Sequence, residues 1–253
     1  MTEGTRNGVG DGGEARHAAT VRLLWGPQPQ PARGPRRTLD LPGIARAGVA
    51  VADAEGLAAV SMQRVAAQLA VTKMALYRYV PGKAELVALM VDAALAPLPP
   101  EDEPRPDWRE QLTTWAHHLL DTFTRHPWLL DATVGPRVLG PVELAWMERA
   151  VAALDGTPLT GAERLDAAVL LTGHVRTIAQ HGGAAGPAGD AEAQLHALLD
   201  EVLHDHRTRF PAVSAALRDA SADQAAPQDQ AWEFGLQRIL DGLATLITER
   251  SPG

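Results

Sequence analysis

Residues 41–96 hold apolar side chains at helical spacing, and turn signals interrupt that spacing at short intervals. A first segment ends at Glu55, beside a glycine. Ser61 and Thr72 then occupy positions from which a side-chain oxygen can cap the first turn of a following helix. Pro81 marks the last break before a longer segment. The pattern predicts four helices, of which the second and third are short and joined by a tight turn.

The third segment carries cationic, phenolic and small side chains on its outer face. Leu76 faces inward, and the outward positions are Thr72, Lys73, Met74, Ala75, Tyr77, Arg78 and Tyr79. In a helix-turn-helix, the first helix crosses the phosphates and the second enters the major groove of DNA. Lysine and tyrosine can contact phosphates there, and arginine can contact a phosphate or a guanine. We expect this segment to read double-stranded DNA, because the alternative, a helical hairpin in a bundle core, gives no packing reason for exposed tyrosine and lysine.

The charge of the chain is divided unevenly. The net charge is −8, yet residues 33–85 contain eight Arg or Lys and four Asp or Glu. Both lysines and both tyrosines of the chain lie within residues 73–83. A basic segment on an acidic body is typical of a protein that contacts nucleic acid with one end only.

The run SMQRVAAQLAVTKMALYRYVPGKAEL, residues 61–86, resembles the DNA-binding segment of the tetracycline-repressor (TetR) family, and LYRYVPGKAEL is its most specific part. The resemblance covers about residues 40 to 95. It implies DNA contacts at Gln63, Arg64, Lys73, Met74, Tyr77, Tyr79 and Lys83. Ala70 departs from the glycine usual in the family. If the turn needs a positive φ there, alanine costs on the order of 1 kcal/mol.

Three regions follow from these patterns, and the fold class is all-α because no alternating strand pattern occurs. Residues 1–37 are rich in Gly, Pro, Gln and Arg, and we predict a flexible basic arm. Arg36 and Arg37, with Arg33, either keep this arm solvated or reach phosphates or the minor groove. Residues 38–96 form the helix-turn-helix domain. A proline-rich linker then leads to a helical domain at 107–253.

The helical domain is predicted from apolar stripes and caps. Asp107–Thr124 forms an amphipathic helix, and a capping box at Thr160 and Glu163 opens a long helix to about Gln180. Further helices are expected around Trp128 and over Val142–Leu154, Ala191–Arg209 and Asp229–Thr248. The HPWLLD segment and this run of helices resemble the ligand-binding and dimerisation domain of the TetR family.

Aromatic and polar residues of the helical domain are candidates for a small-molecule site. Four tryptophans fall within a short stretch, which suits a pocket for a flat ligand, although tryptophans also fill cores. His174 lies mid-helix among apolar residues, so it could equally be an interface histidine. The predicted ligand-binding residues are Trp115, His118, Trp128, Trp146, His174 and Arg176.

The last helix has a wide apolar face that something must cover. The face contains Trp232, Leu236, Ile239, Leu240, Leu243 and Ile247. A stripe on the long helix, formed by Leu165, Ala168, Val169 and Thr172, could join it in a four-helix bundle between two copies, as in the TetR family. The alternative is packing within one chain.

Other function classes find little support in the sequence. The N-terminus lacks the apolar stretch of a signal peptide, and no window approaches a membrane span, so we expect a soluble cytoplasmic protein. Cysteine is absent, the nine histidines lack metal-ligand spacing, and no GxSxG elbow occurs. We therefore expect no metal, cofactor or enzyme activity.

The resemblance implies a homodimeric repressor that a small-molecule effector releases from a palindromic operator. Two alternatives stay open. One is an enzyme or carrier with a vestigial helix-turn-helix, and the other is a constitutive DNA-organising protein without an effector.

Overall fold

The computed structural model describes residues 10–27, 39–96, 98, 107–182, 197–222 and 230–251. Within these residues only helices, turns and loops occur, which confirms the all-α prediction. Residues 57–59 form a short 3₁₀ turn. The α-helices are α1 (Gly10–Trp25), α2 (Leu41–Glu55), α3 (Met62–Gln68), α4 (Lys73–Tyr77), α5 (Lys83–Ala94), α6 (Trp108–Arg125), α7 (Leu129–Ala132), α8 (Pro141–Ala153), α9 (Gly161–Gly182), α10 (197–203), α11 (Pro211–Ala222) and α12 (Gln230–Arg250).

The chain divides into two compact units. The first unit contains Met1–Pro100 and Trp128–Arg149, and the second contains Glu101–Pro127 and Ala150–Gly253. This division differs from the predicted regions, because Trp128–Arg149 clusters with the N-terminal part of the chain. Side-chain hydrogen bonds between residues distant in sequence explain the difference. The Trp128 indole donates to Asp53 Oδ1 at 2.7 Å, and the Trp146 indole donates to the Leu95 carbonyl oxygen at 2.9 Å.

The core of the first unit is built where α2 packs on α5. The apolar face of α2 is buried, with Ile44 and Val51 among its members. Gly48 allows α5 to approach closely, since a Cβ at this position would lie 2.6 Å from Met90 Sδ. Asp40 caps α2 by accepting a hydrogen bond from the Gly43 amide at 2.7 Å. The sequence therefore predicted both ends of this helix.

The flexible arm predicted for residues 1–37 is replaced over Gly10–Trp25 by helix α1. Helix α1 packs on α5, Leu24 is buried, and the Trp25 indole donates to the Leu139 carbonyl oxygen at 2.9 Å. These tertiary contacts stabilise a segment whose own apolar period is too weak to predict a helix. Arg33, Arg36 and Arg37 lie outside the described residues.

The second unit is organised around α9, which packs against both α6 and α12. Asp107 caps α6 by accepting a hydrogen bond from the Glu110 amide at 2.9 Å. The predicted capping box is confirmed, because the Thr160 amide donates to Glu163 Oε2 at 2.9 Å and the Glu163 amide donates to Thr160 Oγ1 at 3.3 Å. The helix predicted over Ala191–Arg209 is described only as α10, which is followed by turns.

Helix α11 was not predicted. It begins at Pro211, a residue suited to the first turn because its fixed φ matches the helix and its missing N–H loses no intrahelical bond. No helix within the described ranges has both the length and the apolar character needed to cross a membrane.

Candidate DNA-binding site

The turn between α3 and α4 is fixed by two caps and one strained residue. Ser61 Oγ accepts from the Arg64 amide at 3.1 Å, and Thr72 Oγ1 accepts from the Ala75 amide at 3.1 Å. Between the two helices Ala70 has φ 55°, and no other described residue except glycine has a positive φ. The caps predicted from sequence are confirmed, and the turn does need the left-handed conformation that glycine adopts more easily.

Helix α4 is held by two anchors with no exposed surface, Leu76 and Val80. Its opposite side is open: Met74 is 72% exposed and Tyr77 is 38% exposed. The Lys73 ammonium lies 5.5 Å from the centre of the Tyr77 ring, where it is attracted to the face of the ring. The buried anchors therefore position an outer face that offers positive charge, a phenol hydroxyl and a thioether.

The remaining predicted DNA contacts surround this helix. Exposed members are Gln63, Arg64, Thr72, Arg78 and Lys83, whereas Ala75 and Tyr79 are half-buried. Arg64 pairs with Glu55 at 2.5 Å, an exposed interaction that a phosphate could replace at little cost. Lys83 lies in the first turn of α5, where its charge opposes the helix dipole. A phosphate bound beside Lys83 would relieve that conflict.

Two of the predicted ligand-binding residues, Trp128 and Trp146, are buried in the first unit. Their indole N–H groups are engaged by Asp53 and by the Leu95 carbonyl, as described above. Trp128 fastens the chain beside α7 to α2, and Trp146 fastens α8 to the end of α5. The spacing of the tryptophans alone did not reveal these hydrogen-bond partners.

The other four predicted ligand-binding residues lie in the second unit. Trp115 is buried on α6, whereas His118 is exposed and its Nδ1 lies 2.9 Å from the Thr114 carbonyl oxygen. The Arg176 guanidinium lies 5.4 Å from the centre of the Phe123 ring. His174 stacks on Trp232 with ring centres 5.2 Å apart.

Trp232 belongs to a cluster that the sequence did not predict. His174 Nε2 lies 3.0 Å from the Trp232 carbonyl oxygen, and the Trp232 indole donates to His117 Nε2 at 3.4 Å. The His117 ring meets the Trp232 ring edge to face. The sequence places Trp232 only on an apolar face of the last helix. The fold brings His117 and His174 into contact with it.

A capped helix-turn-helix with a buried anchor and a cationic, phenolic outer face defines the chain as a helix-turn-helix DNA-binding protein carrying a further helical unit. Comparison with known proteins supports this assignment. Residues 44–90 match the bacterial regulatory proteins of the tetR family, and residues 98–247 match the tetracyclin repressor-like C-terminal domain. The chain belongs to the TetR family.

Relatives extend this result over nearly the whole chain. The HTH-type transcriptional repressor DrrR1 of Streptomyces coeruleorubidus is 40% identical over 243 residues, covering 92% of this chain and 87% of the relative. Apo ActR from Streptomyces coelicolor is 28% identical with a TM-score of 0.69, covering 86% of this chain and 100% of that structure.

A structure of ActR in complex with actinorhodin is 25% identical with a TM-score of 0.70, covering 85% of this chain and 100% of that structure. The chain is thus a DNA-binding transcriptional repressor of the TetR family.

Proposed function

We propose that two copies of this chain bind a palindromic operator in the bacterial cytoplasm, with α4 of each copy in one of two successive major grooves. A small-molecule effector then releases them. The observation that carries the proposal is the outer face of α4, where Lys73, Met74 and Tyr77 are exposed above the buried anchor Leu76. The remaining contacts come from Gln63, Arg64, Thr72, Ala75, Arg78, Tyr79 and Lys83.

Exposed apolar side chains in the second unit support the homodimer. On α9, Leu165, Val169 and Leu170 are exposed, and on α12 Phe234 is exposed. Part of the apolar face predicted for α12 is covered within the chain, because Trp232, Leu236 and Leu240 are buried. The residues that stay exposed on α9 and α12 form the surface that we assign to a second copy.

The effector site is proposed in the second unit, where Trp115, His174 and Arg176 offer aromatic surface and cationic or hydrogen-bonding groups. ActR supports a small-molecule effector, since its structures include complexes with actinorhodin and with (S)-DNPA. Trp128 and Trp146 are not part of this effector site, because both are buried in the first unit. Their indoles fasten α7 and α8 to the helices of the DNA-binding unit.

In this proposal, helix α5 transmits the effect of the bound effector to the helices that contact the operator. Its first residue is Lys83, and near its other end Asp92 Oδ1 accepts a hydrogen bond from the Val142 amide at the start of α8 at 2.8 Å. Burial raises the pKa of Asp92 above its ordinary value, against the opposing effect of this hydrogen bond. Because the hydrogen bond from Val142 to Asp92 joins α8 to α5, a movement of α8 would shift α5. The effector must bind the released state more tightly than the operator-bound state for this coupling to work.

Operator binding by a double variant tests the proposal. Fluorescence anisotropy would measure binding of the full chain to DNA from upstream of its own coding sequence, over a range of salt concentrations. Tyr77→Ala with Lys83→Ala should weaken binding by about 10³-fold, because each lost contact occurs twice in a dimer. The log–log salt dependence should also become shallower.

Arg125→Ala, which removes an exposed ion pair with Asp121 in the second unit, is the control and should bind as wild type does. Unchanged binding by the double variant would remove α4 from the operator contact. Tight binding that no compound in a thermal-shift screen can release would favour a constitutive DNA-organising protein. Absence of operator binding in the wild type would favour the enzyme or carrier alternative.

A further inference from the structure

The first unit contains a partly open cavity of about 620 Å³ that the proposed function does not use. Its walls are mainly apolar and come from α5, α7, the chain after α7, and α1. Ala88 and Val91 of α5 line it, together with Val138. Its volume falls within the range of small-molecule pockets, roughly 300–1,000 Å³. None of the predicted effector residues lines it.

Helix α1 forms one side of the cavity through His17 and Thr20. This helix lies outside both matched segments, which cover residues 44–90 and 98–247. Its position is fixed by the buried Leu24 and by the hydrogen bond from Trp25 to Leu139. The cavity is thus completed by a part of the chain that the family domains do not include.

The cavity wall includes a polar group that can recognise a ligand. Arg137 lines the cavity, and both terminal nitrogens of its guanidinium bind the Glu143 carboxylate. Its third nitrogen, Nε, is buried and finds no acceptor among the described residues. Nε is too deeply buried for a ligand to reach, but each terminal nitrogen keeps a second N–H that can donate to a ligand oxygen in the cavity.

The charges at the cavity restrict the ligand further. Glu85 is 5% exposed, and its carboxylate folds back towards Gly82 at the N-terminus of α5, so that end of the helix already faces a negative charge. Lys83 lines the same cavity from the first turn of α5. The groups left to bind a ligand oxygen are the remaining terminal N–H groups of Arg137 and the Lys83 ammonium.

We infer that this cavity is a second small-molecule site, separate from the proposed effector site. Its ligand is a compact, largely apolar molecule with one anionic or carbonyl oxygen group. Because Lys83 also belongs to the proposed DNA contacts, the bound ligand competes with an operator phosphate for the same ammonium. Occupation of the cavity therefore weakens operator binding directly, without a signal from the second unit.

The probe for the test is 8-anilinonaphthalene-1-sulfonate, an apolar aromatic molecule with one sulfonate, titrated by fluorescence into the full chain. Ala88→Trp should remove one binding site per protomer by filling the cavity. Arg137→Lys keeps a cation beside Glu143 but removes the further N–H donors of the guanidinium, and should weaken that site about tenfold. Arg164→Lys makes the same replacement at an arginine paired with Asp155 in the second unit and should leave the site unchanged.

Thermal unfolding of each variant checks that it is folded. If Ala88→Trp does not fold, Arg137→Lys still tests the site. Equal probe binding by wild type and Arg137→Lys would overturn the assignment, and so would a loss confined to Arg164→Lys. In an anisotropy titration, the probe should also weaken operator binding by wild type but not by Ala88→Trp. Equal weakening of both proteins would overturn the competition at Lys83.

Discussion

The two units of the chain differ in which of their apolar side chains they bury and which they leave exposed. In the first unit Ile44, Val65, Leu76 and Leu86 are fully buried by neighbours from the same chain. In the second unit, α9 buries Leu171 and Val175 but leaves Leu165, Val169 and Leu170 exposed. The first unit thus buries these side chains in its own core, and two of its large exposed groups, Met74 and Tyr77, lie on α4, the proposed DNA-reading helix. The second unit presents an apolar surface that a second copy would cover.

A charge placed on that surface should have the largest effect. Val169 is 63% exposed, so Val169→Glu should leave the folded protomer nearly as stable as before. In a dimer the two new carboxylates would be buried without partners. We expect the dissociation constant of the dimer to rise at least about 100-fold. Light scattering during size-exclusion chromatography measures this change, and operator affinity should fall with it.

Val202→Glu is the matched control, because Val202 is also 63% exposed but lies on α10. It should leave the dimer intact. If Val169→Glu stays dimeric, or if Val202→Glu dissociates the dimer instead, the surface used for dimerisation is not the one on α9 and α12.

The self-contained packing of the first unit is tested by Gly140→Ala. A Cβ on Gly140 would lie 2.1 Å from Asp92 Oδ1 and 3.0 Å from Asp92 Cβ, so Asp92 would have to move from the start of α8. We expect a loss of about 2 kcal/mol in the free energy of unfolding, measured by urea denaturation. Gly161→Ala should change it by less than about 0.5 kcal/mol, because a Cβ there meets no atom within 4 Å. Equal effects of the two substitutions would mean that the close approach at Asp92 contributes nothing to stability.

A smaller gain is expected from the turn of the helix-turn-helix. Ala70→Gly removes the strain of φ 55° but increases the entropy of the unfolded chain, so the unfolding free energy should rise by about 0.5 kcal/mol. Ala67→Gly places the same substitution in the helical part of α3 and should lower it by about 1 kcal/mol. A loss in both variants would show that the positive φ at Ala70 carries no strain.

Ala70 also illustrates what the sequence can predict. The caps at Ser61 and Thr72, the capping box at Thr160 and Glu163, and the strained turn were all predictable, because each depends on residues close together in the chain. Helix α1 was missed because its stability comes from packing on α5. The partners of Trp128 and Trp146 were missed for a related reason, since Asp53 and Leu95 are far away in sequence. Local chemistry predicted α4 and its outer face, whereas the cavity lined by α1, α5 and α7 required the fold.

The smallest effect should come from a surface ion pair in the second unit. Glu163, at the start of α9, accepts hydrogen bonds from Arg250 of α12 and from Thr160, and these lower its pKa from 4.5 to about 2. A carboxyl group whose pKa is lower in the folded state stabilises the fold above pH 4.5. That contribution decreases as the pH falls from 4.5 towards 2.

Because other carboxyl groups titrate in the same range, the quantity to measure is the difference in midpoint temperature between wild type and Glu163→Gln. This difference should be constant from pH 7 to about 5.5 and shrink progressively below pH 4.5. Added salt should also reduce it, since the pair is partly exposed. A difference independent of pH would mean that the glutamate contributes through its shape and not its charge. The packing of α12 against α9 would then depend on the apolar contacts of Leu236 and Leu240, and not on the ion pair between Glu163 and Arg250.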